Sequence, residues 1–134
     1  MVDFVGFDEE AFRAFELAGW TEVARRYDTT FGTLTGQTVE PVMEAARIDP
    51  GVQVLNLAYG SGRLSTAACA RGGIVTGVDL TPAMVAEAAS RNPDATFEVG
   101  DAEALPFDSD TFDVVVCGFG VLHFTECLGR IGKV

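Results

Sequence analysis

Residues 54–64 read VLNLAYGSGRL. An apolar run, Val54 to Leu57, meets a turn at Gly60, Ser61 and Gly62 and passes straight into the helical pattern that starts at Arg63 and Leu64. Strand, glycine turn and helix in direct succession form the unit from which parallel sheets with a ligand crevice at their strand ends are built. Glycine lets the backbone turn sharply and lets a ligand approach where a Cβ would stand in the way. The helix N-terminus behind it offers free N–H groups and a positive dipole end, which suit phosphate or carboxylate.

Downstream the same alternation continues. SGRLSTAACARG is a helix closed by Gly72 and Gly73, and GIVTGVDL is a second strand. TPAMVAEAASRN is a helix with Thr81 as N-cap, Pro82 in its first position, and Met84, Val85, Ala88 and Ala89 on its inner face. ATFEVGD is a third strand, and a fourth is centred on Val114 to Cys117. Strand–helix–strand alternation implies a parallel sheet with crossover helices, an α/β architecture. The runs VVVC and GIVTGV are apolar on both faces, as doubly covered strands should be.

Upstream, FDEEAFRAFELAGWTEVARRYD opens with acids suited to a helix N-terminus. Phe12, Phe15, Trp20, Val23, Ala24 and Tyr27 follow helical spacing and predict an aromatic face that packs on the rest of the chain. TTFGTLTGQ reads as a loop. Val39, Val42, Met43 and Ala46 mark another helix, with Pro41 in its first turn, and Asp49-Pro50-Gly51 ends it. The expected organisation is a helical cap over 1–50, a ligand-binding α/β half-domain over 51–124, and an aberrant or disordered tail over 125–134.

The 134 residues fit one domain. No apolar run approaches the ~18 residues of a membrane helix, and the N-terminus has no basic-then-apolar pattern of a signal peptide. The expectation is a cytoplasmic protein without a membrane partner. A net charge of −11 and no basic patch argue against nucleic acid. Cys69, Cys117 and Cys127 are odd in number and form no CxxC pair, and His123 is the single histidine. That pattern points away from a disulfide framework and from a metal site.

Asp79 closes the second strand about 20 residues after the glycine turn, where a carboxylate takes ribose hydroxyls. Dinucleotides and S-adenosylmethionine both fit this geometry. The dinucleotide pattern G-x-G-x-x-G/A is met only as Gly60-x-Gly62-x-x-Ser65. The third strand ends in Gly100-Asp101-Ala102, which puts a second acid at a strand end beside the loop and Asp79. One nucleoside between two acids suits a ligand with a single adenosine and a small zwitterionic tail.

With these residues in place the chain, from about Ala14 to Phe124, resembles the class I S-adenosylmethionine-dependent methyltransferases, the group that includes quinone and small-metabolite methylases. VLNLAYGSG resembles their first motif, VTGVDLTPAMVAEA the second region, and GDAEALPFDSDTFDVVVCGFGVLHF the third and fourth. The resemblance implies a Rossmann-like three-layer sandwich with strand order 3-2-1-4. It also implies S-adenosylmethionine as cofactor and a small-molecule methyl acceptor. By position, Gly60 and Gly62 pass under the methionine portion, and Asp79 takes the ribose hydroxyls. Leu80 and Met84 lie against the adenine, Asp101 accepts from its amino group, and Ala102 donates a backbone N–H. Cys117 and Gly118 face the methyl group, and Tyr27 closes over the cofactor. Two of these have plainer alternatives: Met84 as core, Tyr27 as an anchor for its helix. His123 reads as a positional or surface residue in preference to a base.

The chain also departs from that pattern. Asn56 stands where an acid normally helps fix the cofactor's ammonium, which implies weaker cofactor binding. Ala58 replaces a common glycine, and Tyr59 stands where a small residue is usual. The family's sheet has seven strands and this sequence supplies four, so a C-terminally shortened chain with weak or no activity is expected. Its fourth strand then becomes an apolar edge open to self-association. The competing readings are a non-catalytic cofactor-binding or dimerising module and, on the imperfect glycine fingerprint, a nicotinamide-binding protein.

Overall fold

The computed structural model describes residues 6, 8–58, 60 and 62–123. At its centre lies β1, Gln53–Leu57. It pairs in parallel with β2, Ile74–Asp79, with Val54 opposite Val75 and Leu57 opposite Val78. On its other side it pairs in parallel with β4, Val114–Val116, with Val54 opposite Val114. β3, Thr96–Val99, runs parallel along the outer edge of β2. The order is therefore β3-β2-β1-β4, as the sequence motifs imply.

Alternation along the strands sorts the core into two faces. Val54, Val75 and Val116 face a cluster with Met43, Ile48, Leu64 and Ala68. Those partners come from α3 (Val39–Ala46), the turn after it, and α4 (Arg63–Ala70). α5, Pro82–Arg91, packs along β2 and β3 and buries Met84 and Ala88. Leu55, Leu57 and Val78 face the other way, toward Ala102, Leu105, Phe107, Phe112 and Cys117. That second face is covered by the β3–β4 connection, which contains no helix, with Phe107 and Phe112 edge to face at 5.1 Å. Asp113 ties this connection to the sheet: its N–H donates to Gln53 O at 2.9 Å and its carboxylate accepts from Gln53 N at 2.8 Å.

The coverage is less even than the apolar runs predict. Val115 is 39% exposed and Val99 54% exposed. β4 has no strand partner beyond β1 among the described residues. A run such as VVVC says that both faces are apolar, not that both are covered.

The N-terminal segment differs from expectation in two respects. α1, Glu9–Val23, starts at Asp8, whose carboxylate accepts from Ala11 N at 2.9 Å. Of the expected aromatic face, Phe15 lies 72% exposed, while Trp20 and Tyr27 turn toward the cavity and Ala24 is buried. Arg13, Glu16 and Trp20, at i, i+3 and i+7, share the stripe that turns inward. Second, TTFGTLTGQ is not a plain loop. It holds a short helix, α2 (Phe31–Thr35), and a 3₁₀ turn, Gly36–Thr38. Thr35 and Thr38 donate their hydroxyls to Phe31 O at 3.0 Å and Thr35 O at 2.7 Å, a local bonding pattern that polar composition conceals. Tyr59 and the expected tail over 125–134 lie outside the described residues.

Candidate functional site

A cavity opens at the carboxyl ends of β1, β2 and β3, where parallel sheets of this kind place their ligands. β1 leads into it through Ala58, whose φ of 48° already turns the chain left-handed, then through Gly60 at φ 58° and Gly62 at φ 88°. Gly62 caps α4. Tyr27, in the 3₁₀ segment Ala24–Thr29, covers the turn: a Cβ on Gly60 would stand 3.3 Å from its ring. Gly62 is equally confined, because a Cβ there would meet Ala88 Cβ at 3.0 Å.

Asp79 ends β2 at the floor of the cavity. Its Oδ2 accepts from Gly60 N at 3.2 Å and its Oδ1 from Thr81 N at 2.9 Å. Burial pushes the carboxyl up from its ordinary value, and the N–H groups of Thr81 and Gly60 together with the Thr81 hydroxyl offset part of that rise. The group thus links the glycine turn to the N-terminus of α5, with further lone pairs available to hydroxyl donors.

Asp101, after β3, is part-exposed and already partnered. Its Oδ1 accepts from Glu103 N at 2.8 Å, and its Oδ2 pairs with Arg13 Nη1. Nη2 of the same guanidinium pairs with Glu103 at 3.2 Å, so α1 is fastened across the end of β3. Glu16 accepts from Trp20 Nε1 at 2.9 Å and pairs with His123 Nδ1 at 2.7 Å. Trp20 stands edge-on to His123 at 5.0 Å and to Tyr27 at 5.9 Å.

Comparison with known proteins decides what this crevice belongs to. Residues 54–131, more than half of the chain, match the family described as "Methyltransferase domain". The chain belongs to the class I S-adenosylmethionine-dependent methyltransferases. A demethylmenaquinone methyltransferase of Beutenbergia cavernae is 35% identical over 124 residues, covering 88% of this chain and 51% of the relative. The chain thus spans about half the length of that curated relative. Among solved structures, the YcgJ protein of Bacillus subtilis superposes with a TM-score of 0.66 at 26% identity, over 74% of this chain and 46% of that one. Phosphoethanolamine N-methyltransferase 1 of Haemonchus contortus, in complex with phosphoethanolamine and S-adenosylhomocysteine, reaches 0.71 at 20% identity, over 87% of this chain and 27% of that one. The latter likeness concerns the fold.

Within this chain, Tyr27, Ala58, Gly60, Asp79, Leu80, Met84, Asp101 and Ala102 all line the same cavity. Asn56, Gly62, Cys117 and Gly118 do not. Asn56 is fully buried, donates to Ser65 Oγ at 2.9 Å and leaves Oδ1 without a partner among the described residues. Cys117 packs on the Leu55–Leu57–Val78 cluster, and Gly118 lies against Leu64. Beyond β4 it is Phe119, Gly120 and His123 that reach the cavity. Sequence reasoning missed Arg13, Glu16 and Glu103. The signal for the first two was the i, i+3, i+7 stripe with Trp20; Glu103 had none beyond its nearness to Asp101. No helix among the described residues is long and apolar enough to cross a membrane.

Proposed function

We propose that this chain binds S-adenosylmethionine over the Gly60 turn and donates its methyl group to a small-molecule acceptor in the cytoplasm. The observation that carries this reading is the buried Asp79 carboxylate bonded to the N–H of Gly60, a residue at positive φ where an added Cβ would press on the Tyr27 ring at 3.3 Å. The turn is a cradle that a side chain would fill, and it stands beside an acceptor for ribose hydroxyls, so the residues fit the cofactor.

Asp79 would hold the ribose, Leu80 and Met84 would flank the adenine, and Asp101 with the Ala102 N–H would meet its polar edge. Gly60 and Gly62 would pass under the methionine portion, with Asn56 behind them, and Tyr27 would close the turn. Phe119 and Gly120, which line the cavity, take the place near the acceptor first given to Cys117 and Gly118. When bound, the cofactor supplies a methyl group activated by its sulfonium. The small-molecule acceptor is supported by the demethylmenaquinone methyltransferase among the relatives. Residues 1–50 would act as the cap over this site.

Isothermal titration with S-adenosylhomocysteine tests the reading. Saturable heat that is lost in Asp79→Ala supports it. No heat at about 1 mM ligand, with NAD binding in its place, would overturn it.

A second reading rests on β4, whose outer edge carries no strand among the described residues. An exposed apolar edge favours pairing with another copy. Sedimentation of a dimer that Val115→Lys disperses would support a self-associating binding module, and a stable monomer that transfers methyl groups would exclude it.

A further inference from the structure

Asp101 is where the cofactor reading puts the amino group of adenine, yet both of its oxygens already have partners. Oδ1 accepts from Glu103 N at 2.8 Å, and Oδ2 pairs with Arg13 Nη1. Arg13 also pairs at 3.2 Å with Glu103, a carboxylate only 6% exposed. The arginine reaches this place from α1, 88 residues away in the chain, and lines the same cavity as Asp101 and Ala102. A guanidinium has five N–H donors, and here the one at Nε is buried with no partner among the described residues. The base end of the cavity therefore holds a cation with unused donor capacity beside the carboxylate that the base must use. α1 buries none of its residues completely, so moving Arg13 aside breaks ion pairs and leaves the core intact.

We propose that Arg13 is a specificity-determining residue of the base subsite. It competes with the amino group of adenine for Asp101, and so narrows the site's preference for adenine over a base that carries a carbonyl at the same position. This inference rests on the cofactor reading above. Adenine presents N–H donors at its 6-position, which a carboxylate accepts and a guanidinium opposes. Hypoxanthine presents a carbonyl oxygen there, which a carboxylate opposes and a guanidinium meets with a charge-assisted hydrogen bond. An adenosine ligand thus gains Asp101 only as Arg13 releases it. An inosine ligand leaves the ion pair standing and meets the donors of the arginine. Each base is matched by one of the two groups and opposed by the other. Without the arginine, only the carboxylate remains to select.

Isothermal titration of the full chain with S-adenosylhomocysteine and with S-inosylhomocysteine tests this. Arg13→Met removes every donor and keeps an unbranched stem. It should bind S-adenosylhomocysteine about fivefold more tightly than the native chain does, and S-inosylhomocysteine more weakly. The ratio of the two affinities should therefore widen about tenfold or more. Arg13→Lys keeps the charge but not the planar fork that holds both carboxylates, so its ratio should fall between those of the other two. Glu16→Gln weakens the hold of the same helix without touching Asp101, and should leave the ratio within about twofold of native. An unchanged ratio in Arg13→Met overturns the proposal, and so does an equal widening in Glu16→Gln, which would trace the effect to a loosened α1. Weaker binding of S-adenosylhomocysteine by Arg13→Met also overturns it, since Arg13 would then hold Asp101 in place for the base. Binding of neither ligand, by the native chain and Arg13→Met alike, overturns the cofactor reading instead.

Discussion

Arg13, on α1, pairs with Asp101, at the end of β3, across a sequence separation of 88 residues. The same guanidinium holds Glu103, so one arginine pairs with two carboxylates at the place where the adenine's polar edge is proposed to bind. A cofactor that uses Asp101 must share it with this arginine or displace it. Arg13→Ala should therefore speed association of S-adenosylhomocysteine severalfold in stopped-flow measurements. The Asp101 pair is part-exposed, but Glu103 is only 6% exposed and would lose this partner, so Arg13→Ala should lower stability by about 1–3 kcal/mol. Slower association or weaker binding would mean that Arg13 holds Asp101 in its binding geometry.

Asp79 links protonation to stability. Burial raises its pKa in the folded chain above the ordinary 3.8, so the folded state holds that proton more tightly than the unfolded one. The sign follows: its contribution to stability is largest below 3.8 and is lost as pH rises through the raised folded value. Asp79→Asn removes the titration but turns an N–H donor toward either Gly60 N or Thr81 N, at a cost of about 1 kcal/mol. The variant should be the less stable chain at the acid end of a series of urea titrations, and its disadvantage should shrink or reverse as pH rises through that window. A difference independent of pH would contradict a raised carboxyl.

Ala58 is tolerated at the expense of strain. Its φ of 48° lies in the left-handed region, which costs an alanine about 1–2 kcal/mol relative to glycine. Glycine's extra freedom in the unfolded chain costs about 0.4–1 kcal/mol. The first effect is the larger, so Ala58→Gly should raise Tm. The same Cβ forbids one on Gly120, whose added Cβ would stand 2.2 Å from it. Gly120→Ala should be strongly destabilising in the native chain and much less so beside Ala58→Gly, as thermal melts of the four variants would show.

Tyr27 and Gly60 are coupled through one contact. Gly60→Ala places a Cβ 3.3 Å from the tyrosine ring at a φ of 58°. Tyr27→Ala removes the ring but leaves the strained φ. A double-mutant cycle on S-adenosylhomocysteine affinity should give a coupling of about 0.5 kcal/mol or more. Strict additivity would mean that Tyr27 lies away from the turn when the ligand binds, and that it only anchors its helix.

The sheet was legible because its evidence is local. Runs such as VLNL and TGVD announce buried strands, and glycines placed after them announce the crevice; Gly60, Asp79 and Asp101 follow from spacing alone. What escaped was decided by contacts between distant segments. No feature of α1 taken by itself says that Arg13 and Glu16 turn inward while Phe15 stays out, because the partners are Asp101, Glu103 and His123. Nor does an apolar fourth strand reveal that Cys117 turns to the core cluster and leaves the cavity to residues further on.

Asn56 separates two accounts of the glycine motif. Its position in β1 resembles that of the acid which fixes the cofactor's ammonium, yet here the side chain is fully buried and donates to Ser65 Oγ. Its Oδ1 has no partner among the described residues, an arrangement costing about 1–3 kcal/mol unless a further donor meets it. Asn56→Asp would place a carboxylate at that site, where Ser65 can turn its hydroxyl to donate. Burial would raise the new carboxyl's pKa, so the variant should be less stable than the native chain at neutral pH, with the deficit shrinking as pH falls. If the site meets the cofactor's ammonium, directly or through water, the new charge should also tighten S-adenosylhomocysteine binding and return part of the stability when ligand is added. Destabilisation with no gain in affinity would assign Asn56 to the joint between β1 and α4 alone.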